Sequence, residues 1–248
     1  MSDVMLITGA SRGIGAATAR LAAARGYAVA VNYRASKKAA EALVDAIAAG
    51  GGRAISIQGD VAVESDVKRL FETVDSELGR LAVLVNNAGI LETRMRLDEM
   101  TPERWRRVLA TNVVGSFLCA REAVRRMSTR HGGSGGAIVN VGSAASRLGS
   151  PNEFIDYAAS KGAVDAMTIG LAKEVAREKI RVNVVRPGLI RTDIHASSGQ
   201  PDRVERLQDA VPIGRAGEPE EVAEAILWLA SDQASYVTGA FIDVSAGR

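Results

Sequence analysis

The sequence contains a single cysteine, and this scarcity excludes two kinds of site. Cys119 is the only cysteine among 248 residues, so no disulfide can form within the chain and no zinc site can be built from several cysteines. Histidines and carboxylates do not gather at ligand spacing, so we expect no catalytic metal. Cys119 itself lies in the apolar stretch GSFLCA, where we expect a buried small hydrophobic residue.

Aromatic residues, net charge and long apolar runs are also scarce. Only 4% of the chain is aromatic although 47% is hydrophobic, so the core must consist mostly of Ala, Val, Leu and Ile. A formal net charge of +2 argues against a nucleic-acid-binding protein. No apolar run has the length of a membrane span, and the apolar segment VMLIT begins at residue 4, too early for a signal peptide. We therefore expect a cytoplasmic protein that binds neither nucleic acid nor membrane.

Short apolar runs alternate with longer helical patterns along the whole chain. The runs span residues 4–8, 28–32, 54–58, 81–87, 136–143, 181–188 and 241–245. They are continuous, which is typical of strands buried on both faces of a parallel sheet. Helices are predicted at 14–25, 36–49, 65–78, 101–129, 157–178 and 219–231. Ser36, Ser65 and Thr101 with Pro102 are their start signals. The alternation predicts a doubly wound α/β fold of three layers, with seven parallel strands and helices on both faces.

The sequence shows no linker, so residues 1–248 are predicted to form one domain. One stretch does not fit the alternation: residues 189–218 are long for a loop in a compact domain. Loops of this length are often lids or binding segments. We expect residues 189–218 to cover the substrate.

The first strand is followed by a glycine-rich turn, in the stretch LITGASRGIGAATARLAA. Gly9, Gly13 and Gly15 let the backbone turn tightly and approach a phosphate closely. The positive end of the following helix would then favour the pyrophosphate of a dinucleotide. The spacing Gly-x-x-x-Gly-x-Gly differs from the commoner Gly-x-Gly-x-x-Gly, and glycines also occur at ordinary strand–helix turns. The position after the first strand favours the dinucleotide interpretation.

Several motifs together resemble the short-chain dehydrogenase/reductase family, over essentially the whole chain. They are TGASRGIG at 8–15, NNAG at 86–89, Asn112, Ser143, YAASK at 157–161 and PG at 187–188. The 3-oxoacyl carrier-protein reductases and the glucose-dehydrogenase-like members are the most similar groups. The resemblance implies a Rossmann-like fold and hydride transfer with a small-molecule carbonyl or alcohol substrate, either free or bound to a carrier protein. It also implies a homodimer or a homotetramer.

The resemblance assigns roles to four residues. Tyr157 would give a proton to the carbonyl oxygen in reduction or remove one in oxidation, and Ser143 would polarise that oxygen. Lys161 would contact the nicotinamide ribose, and Asn112 would hold a water that links Lys161 to solvent; alternatively, Asn112 is a buried residue that bonds the backbone. Tyr157 and Lys161 share a helix face, so the ammonium is expected to lower the tyrosine pKa from about 10. The fourteen residues from Ser143 to Tyr157 are a long interval for the family, so we expect a local bulge.

The second strand ends in Asn32, Tyr33 and Arg34, where NAD-binding folds often place an acid for the ribose hydroxyls. The 2′-phosphate of NADP repels a carboxylate and matches a guanidinium. Arg34, together with Arg12 and Ser11 of the glycine turn, therefore predicts NADP(H) as cofactor. The alternative is that both arginines are solvated surface charges.

Further cofactor contacts are implied by the resemblance at the turns that follow the strands. They are Gly9, Gly13, Ile14 and Gly15 after the first strand, Asp60 and Val61 at the adenine after the third, Asn86, Asn87, Ala88 and Gly89 after the fourth, and Pro187, Gly188, Ile190 and Thr192 near the nicotinamide after the sixth.

Between residues 94 and 130, nine arginines face only four acids, and this cluster has three interpretations. It is a solvated helix face, a set of salt bridges to a second subunit, or a docking patch for an acidic acyl carrier protein. His195 either touches substrate or is a surface residue without a role. Trp105 and Trp228 are expected to pack helices together.

The leading functional hypothesis is an NADPH-dependent reductase of a ketone or 3-oxoacyl group. Its rival is an NAD(P)-dependent dehydrogenase that oxidises a sugar or another secondary alcohol. A non-catalytic dinucleotide sensor would be expected to lack Tyr157, Lys161 or Ser143. An epimerase or dehydratase of the larger family branch generally adds a C-terminal substrate domain; we expect the seventh strand to end within a few residues of Arg248, so this class ranks below a reductase. The substrate stays open, because the expected pocket mixes apolar residues with Arg147, Asn152 and Glu153.

Overall fold

A computed structural model describes residues 2–248, and within that range seven strands form one parallel sheet. The spatial order of the strands is β3-β2-β1-β4-β5-β6-β7. Their bounds are β1 Val4–Ile7, β2 Ala28–Tyr33, β3 Arg53–Gln58, β4 Leu81–Asn86, β5 Gly136–Val141, β6 Ile180–Pro187 and β7 Phe241–Val244. The doubly wound prediction is therefore confirmed, and each predicted strand end lies within two residues of the observed one.

The helices cover both faces of the sheet. Their bounds are α1 Gly13–Ala24, α2 Lys37–Ala49, α3 Glu64–Glu77, α4 Pro102–Leu109, α5 Gly115–Met127, α6 Ala145–Leu148, α7 Ile155–Val175, α8 Ile194–Ser197, α9 Arg203–Leu207 and α10 Pro219–Ala230. Strand side chains alternate between the faces, so Met5 and Ile7 pack with α1, α2 and α10, while Val4 and Leu6 pack with α3, α5 and α7. Small alanines on α1 suit this close helix–sheet packing.

The predicted helix at 101–129 is present as one continuous helical stretch from Pro102 to Met127, but its middle is not α-helical. Residues Ala110–Val114 form a π-helical turn between α4 and α5. Its start is confirmed: the Thr101 side chain accepts a hydrogen bond from the Arg104 amide, with Pro102 in the first turn. A π turn shifts the direction of the side chains that follow it, and such turns are frequent at functional sites.

Two of the other predicted start signals differ from the structure. Ser65 is not a cap, because α3 begins at Glu64 after Val63 and places Glu64 and Asp66 in its first turn, where the helix dipole favours acids. Ser36 does precede α2, but its side chain makes no capping hydrogen bond.

Residues 189–218 form a folded excursion between β6 and α10. The segment contains α8 and α9, and a parallel bridge between Ile190 and Gly217 joins its two ends. Leu189, Val204, Val211 and Ala216 give it a small apolar core of its own. The excursion is therefore held by its own packing and by its closed base.

The sequence also leads to expectations about the burial of Cys119, Trp105 and Trp228 and about membrane spans. Cys119 is fully buried, and burial raises the pKa of its thiol to about 12, as expected for a small hydrophobic residue. Trp105 and Trp228 keep 36% and 37% of their surface exposed, so they lie on the outer sides of their helices rather than within the packed layers. Within residues 2–248, no helix combines the length and the apolar character that crossing a bilayer requires.

Candidate active site

A cavity of about 630 Å³ lies at the carboxyl edge of the sheet. Its walls come from the turns after β1, β2, β3, β4, β5 and β6, and from α7. The strand order changes direction at β1: β2, the next strand in the chain, lies on one side of β1, and β4 lies on the other side. Ligands of open α/β sheets bind at such a switch in strand order, because the outgoing turns separate there and leave a crevice.

The glycine turn is bonded to the NNAG turn that follows β4. The Thr8 hydroxyl accepts hydrogen bonds from the amides of Asn87 and Ala88, each at 3.0 Å. The Asn87 side chain donates in return to the carbonyl oxygens of Thr8 at 2.8 Å and Gly9 at 3.0 Å. A Cβ on Gly9, whose φ is +62°, would lie 2.9 Å from the Ala88 Cα, and one on Gly15 would lie 2.5 Å from the side-chain nitrogen of Asn87. Glycine is thus required where the two turns meet.

The N-terminus of α1 opens into the same cavity. Arg12 precedes α1 in an extended conformation, and neither its side chain nor an acid in the first turn caps the helix. Thr192 approaches from the opposite wall, since a Cβ on Gly13 would lie 3.3 Å from its methyl group. The uncapped amides and the lack of a Cβ suit an anion such as a pyrophosphate.

Arg34 stands at the rim of the cavity, with 61% of its side chain exposed. One guanidinium nitrogen lies 3.9 Å from a carboxylate oxygen of Asp60, which lines the cavity after β3. Asn32 also lines the cavity, but it is buried and its side-chain bonds stay within the protein. It accepts from the Gly9 amide at 3.2 Å and donates to the Gly59 carbonyl at 3.0 Å. Asn32 therefore holds the glycine turn in place, and a direct cofactor contact by Asn32 stays a prediction.

Ser143, Tyr157 and Lys161 line the other half of the cavity. Ser143 follows β5, whereas Tyr157 and Lys161 lie one turn apart on α7. The Lys161 ammonium donates a hydrogen bond to the Val141 carbonyl at 2.7 Å and lies 5.6 Å from the centre of the Tyr157 ring. The predicted shared helix face is confirmed, and the lysine is fixed to the end of the neighbouring strand.

Burial dominates the titration of this group. Desolvation raises the pKa of Tyr157, and hydrogen bonding with Ser143 only partly opposes it. Desolvation also lowers the pKa of Lys161 to about 8, against the nearby charge of Asp165. The expectation of a lowered tyrosine pKa is therefore wrong for this structure, because the loss of water outweighs the hydrogen bond with Ser143. The phenol is neutral at neutral pH and holds the proton that a reduction would consume.

Asn112 lies in the π-helical turn and is buried. Its side chain accepts from the Ile90 amide at 2.8 Å and donates to the Ile90 carbonyl at 3.1 Å and the Ser160 hydroxyl at 3.0 Å. The structural interpretation of Asn112 is thus confirmed, while its water-holding role stays a prediction. Gly89 lies beside it, as a Cβ there would be 3.5 Å from both the Asn112 oxygen and the Lys161 nitrogen.

The long interval between Ser143 and Tyr157 contains α6 and a tight turn. Ser150 and Asn152 adopt left-handed backbone conformations in this turn, with φ of +47° and +61°. Such conformations cost about 1 kcal/mol or more for residues other than glycine. The turn carries Glu153 into the cavity wall, so the predicted bulge is present and contributes a charged group to the site.

Glu153 joins this turn to the 189–218 segment. Its two carboxylate oxygens accept from the two terminal nitrogens of Arg203, at 3.0 and 2.7 Å. The Arg203 guanidinium also lies 5.1 Å from the centre of the Phe154 ring. These hydrogen bonds lower the pKa of Glu153, so the pair is ionised at neutral pH. The charges on this wall are thus paired with each other.

His195 lies where the substrate-contact interpretation requires it, and that contact stays a prediction. It lines the cavity half-buried, and its Nε2 lies 2.9 Å from the Ile190 carbonyl. Burial lowers the pKa of the imidazole, so it is neutral at neutral pH. His195 therefore braces the start of the 189–218 segment and is not a surface residue without a role.

The arginine cluster is not a free positive patch. Every one of its nine arginines except Arg130 has a carboxylate oxygen within 4.0 Å in the described part of the chain. Several of those acids, such as Glu64 and Asp75, come from outside the 94–130 window. The solvated-face interpretation is wrong for Arg104, which is 4% exposed.

Three residues of the site were given no role from the sequence. Thr8 begins the glycine-rich motif, but Thr8, Asp156 and Arg203 act through partners far along the chain, and spacing does not reveal such partners. Asp156 stands directly before Tyr157 in the motif, and that adjacency is the one available hint.

Replacing Lys161 by Met is expected to change how stability depends on pH. The pKa of Lys161 is about 8 in the folded protein, against 10.5 for a free lysine. Between these values the unfolded chain binds more protons, so wild-type stability rises with pH relative to the variant, by about 3 kcal/mol over the whole window. Urea unfolding between pH 7 and about 11 measures this difference.

Lys173→Met is the matched control, since Lys173 is exposed on the same helix. Its difference from wild type should be flat with pH. A flat difference for Lys161→Met as well would contradict the depressed pKa of the lysine.

Known proteins resemble this chain over its whole length. Residues 9–248 match the family model described as enoyl-(acyl carrier protein) reductase. An uncharacterised oxidoreductase, YgfF of Escherichia coli K12, is 56% identical over 245 residues, covering 99% of each chain. A 3-oxoacyl-[acyl-carrier-protein] reductase of Synechocystis is 41% identical, covering 99% of this chain and 96% of the relative.

A solved structure extends the likeness to three dimensions. The short-chain type dehydrogenase/reductase of Mycobacterium marinum superimposes with a TM-score of 0.92 at 37% identity, covering 99% of this chain and 94% of the other. Sequence, fold and the arrangement of Ser143, Tyr157 and Lys161 around one cavity agree. The chain belongs to the short-chain dehydrogenase/reductase family of oxidoreductases.

Proposed function

We propose that the protein is an NADPH-dependent reductase that converts a ketone or 3-oxoacyl group to a secondary alcohol. The observation that carries this proposal is a single cavity that combines two sets of groups. A glycine turn and Arg34 lie at one end, and Ser143, Tyr157 and Lys161 lie at the other. The name of the Synechocystis relative supports a 3-oxoacyl substrate.

The residues at the carboxyl edge fit a nicotinamide dinucleotide. The amides at the start of α1 and the glycine turn would hold the pyrophosphate. Arg34 and Arg12 would bind the 2′-phosphate, since a guanidinium pairs with phosphate in a bidentate way. Asp60 and Val61 would contact the adenine, and Pro187 to Thr192 the nicotinamide. When bound, NADPH supplies the hydride.

Tyr157 supplies the proton in this proposal. Its half-buried phenol is neutral at neutral pH, so it donates that proton to the carbonyl oxygen as negative charge develops there. The Ser143 oxygen accepts from the Ala145 amide at 3.1 Å, and its own proton, which bonds Tyr157 in the free protein, would turn to the same carbonyl oxygen. Lys161, fixed by Val141, is positioned to bond the cofactor ribose and to stabilise the phenolate once the proton has left.

The 189–218 segment is proposed to cover the substrate. Leu189, Ile190, Ile194 and His195 already form one wall of the cavity. Because Glu153 and Arg203 neutralise each other and His195 is neutral, the wall suits an uncharged acyl or keto group better than an anion.

The dehydrogenase alternative uses the same residues in the opposite direction. Asp60 beside Arg34 favours it, because this carboxylate reduces the positive charge that selects the 2′-phosphate. Cofactor preference therefore separates the two functions.

Assembly and location are proposals as well. Exposed apolar side chains follow one another along α4, the π turn and α5, at Trp105, Leu109, Val114 and Phe117. This face would pack against a second copy in a homodimer or homotetramer. Docking of an acyl carrier protein on the arginine cluster has less support, because most of that charge is paired. A cytoplasmic location stays a prediction.

Replacing Arg34 by Ala is expected to weaken NADPH binding about 10- to 100-fold, since a charge-assisted phosphate contact contributes about 1.5–3 kcal/mol. Binding of NADH should stay near the wild-type value. Titration of protein fluorescence with each nucleotide measures both constants.

The control for Arg34 is Arg20→Ala, which removes an exposed arginine outside the cavity. Equal binding of both nucleotides by the wild type would contradict the assignment of NADPH and favour the dehydrogenase.

Replacing Glu153 by Gln is expected to loosen the attachment of the 189–218 segment to the cavity wall. Loss of the charged pair with Arg203 should raise the KM for the carbonyl substrate about 5-fold, since a partly buried ion pair contributes about 1 kcal/mol. The dissociation constant of NADPH should not change. Steady-state kinetics measure the first quantity and fluorescence the second.

Glu72→Gln, an exposed charge removed from α3, is the comparison variant. An unchanged KM in Glu153→Gln would show that the pair does not hold the segment over the substrate.

A further inference from the structure

Arg104 of α4 and Asp156 of α7 form a buried ion pair next to the proposed proton donor. The Arg104 Nε donates to one Asp156 oxygen at 2.6 Å, and its Nη2 donates to the other at 3.2 Å. The two side chains are only 5% and 4% exposed. This bidentate pair joins two helices that are separated by about fifty residues in the sequence.

The pair extends to the backbone on both sides. The remaining Arg104 nitrogen donates to the Thr93 carbonyl at 2.6 Å, in the turn that leads from β4 to the cavity. Asp156 accepts from the backbone amide of Tyr157 at 2.9 Å. That amide lies in the first turn of α7, where backbone donors have no partner within the helix. Phe154, the residue before the helix, offers no side-chain cap, so Asp156 takes that part.

The carbonyl side of Tyr157 is held from the same helix. Ser160 donates its hydroxyl proton to the Tyr157 carbonyl at 2.7 Å, and Asn112 donates to the Ser160 oxygen at 3.0 Å. Arg104 and Asn112 lie on one continuous helical stretch across the π turn. The backbone of Tyr157 is therefore tied at its amide through Asp156 and at its carbonyl through Ser160.

Stability alone gives a poor account of this ion pair. Desolvating two charges costs several kcal/mol per ion, and apolar residues of similar size often hold helices together as well or better. An ion pair differs from an apolar pair in one respect that matters here. Asp156 precedes Tyr157 directly in the chain, so either charge alone would act on the phenol through a poorly screening interior, and the two together cancel.

We propose, on the basis of the function above, that Arg104 and Asp156 are positioning residues for Tyr157. They fix the backbone of the proton donor and cancel each other's field at its phenol. The other charged groups that line the cavity toward this end are Lys161 on α7, the Glu153–Arg203 pair, Asp193 and Arg248, and His195 is neutral. These groups are the same in every variant of the test below.

The test measures the titration of Tyr157 directly. The four tyrosines are replaced biosynthetically by 3-fluorotyrosine, which titrates at lower pH, and the Tyr157 signal is assigned in fluorine NMR through Tyr157→Phe. Titrations compare the wild type with Arg104→Met, Asp156→Asn and the double variant. No substrate is required, so the readout does not depend on activity.

Arg104→Met should raise the phenol pKa, because an unpaired carboxylate opposes the phenolate. Asp156→Asn should lower it, because an unpaired guanidinium favours the phenolate. Shifts on the order of half a unit to one unit are expected, and the double variant should return close to wild type. Shifts that are absent, or that have the same sign in both single variants, would overturn the proposal.

Measurements of activity and of stability distinguish a positioning role of the ion pair from a general loss of structure in the variants. With NADPH and a 3-oxoacyl thioester, Arg104→Lys should keep the wild-type phenol pKa but lose about 10-fold in kcat, because lysine keeps the charge without the three-way fork. Glu122→Gln breaks another buried ion pair, with Arg126, and should lower stability without moving the phenol titration. Full kcat in Arg104→Lys would overturn the positioning role.

The two proposals fail in different ways. A wild type that reduces no carbonyl compound, while the single variants shift the phenol in opposite directions, contradicts the proposed function and supports the pair. An active reductase in which neither substitution changes the pKa of the Tyr157 phenol contradicts only the proposed role of the Arg104–Asp156 pair. If Arg104→Met does not fold, the other single variant takes its place. Asp156→Asn keeps the shape of the side chain, and a lowered phenol pKa in this variant supports the proposal whereas an unchanged or raised one overturns it.

Discussion

Parallel pairing of the strands is the constraint on which the rest of the structure depends. In a parallel sheet every strand ends at the same edge, so the turns after β1 to β6 meet there although they are far apart in the sequence. Because β1 lies between β2 and β4, those turns diverge around it and leave a cavity. Thr8 and Asn87 then tie two of the turns together through four hydrogen bonds.

Burial governs the chemistry that this edge can perform. Tyr157 and Lys161 have both lost water, and each is moved toward its neutral form. A neutral phenol can give a proton, and a lysine whose pKa is about 8 keeps most of its charge at neutral pH. Fixed hydrogen-bond partners hold these two residues in place. The Val141 carbonyl holds the Lys161 ammonium, and Asp156, paired with Arg104, holds the backbone of Tyr157.

Features that repeat locally could be predicted from the sequence, and features set by distant partners could not. Seven continuous apolar runs predicted the strands, and the motifs predicted the groups that line the cavity. The π turn around Asn112 was hidden, because the helical pattern continues through it. The partner of Arg104 lies about fifty residues away, so counting charges in a window suggested a surface patch. The Tyr157 pKa is raised and not lowered as predicted, because the spacing of Tyr157 and Lys161 does not show how far the phenol is removed from water.

Hydride transfer coupled to proton donation by Tyr157 is the central claim, and isotope tracing tests it most directly. The protein is incubated with NADPH that carries deuterium on the transferable position and with a 3-oxoacyl thioester, and mass spectrometry examines the product. The account predicts an alcohol with deuterium at the new carbinol carbon, formed by the wild type and not by Tyr157→Phe. NADPH binding without any deuterium in a product, across ketones as well as thioesters, would contradict the account and favour a dinucleotide-binding protein without catalysis.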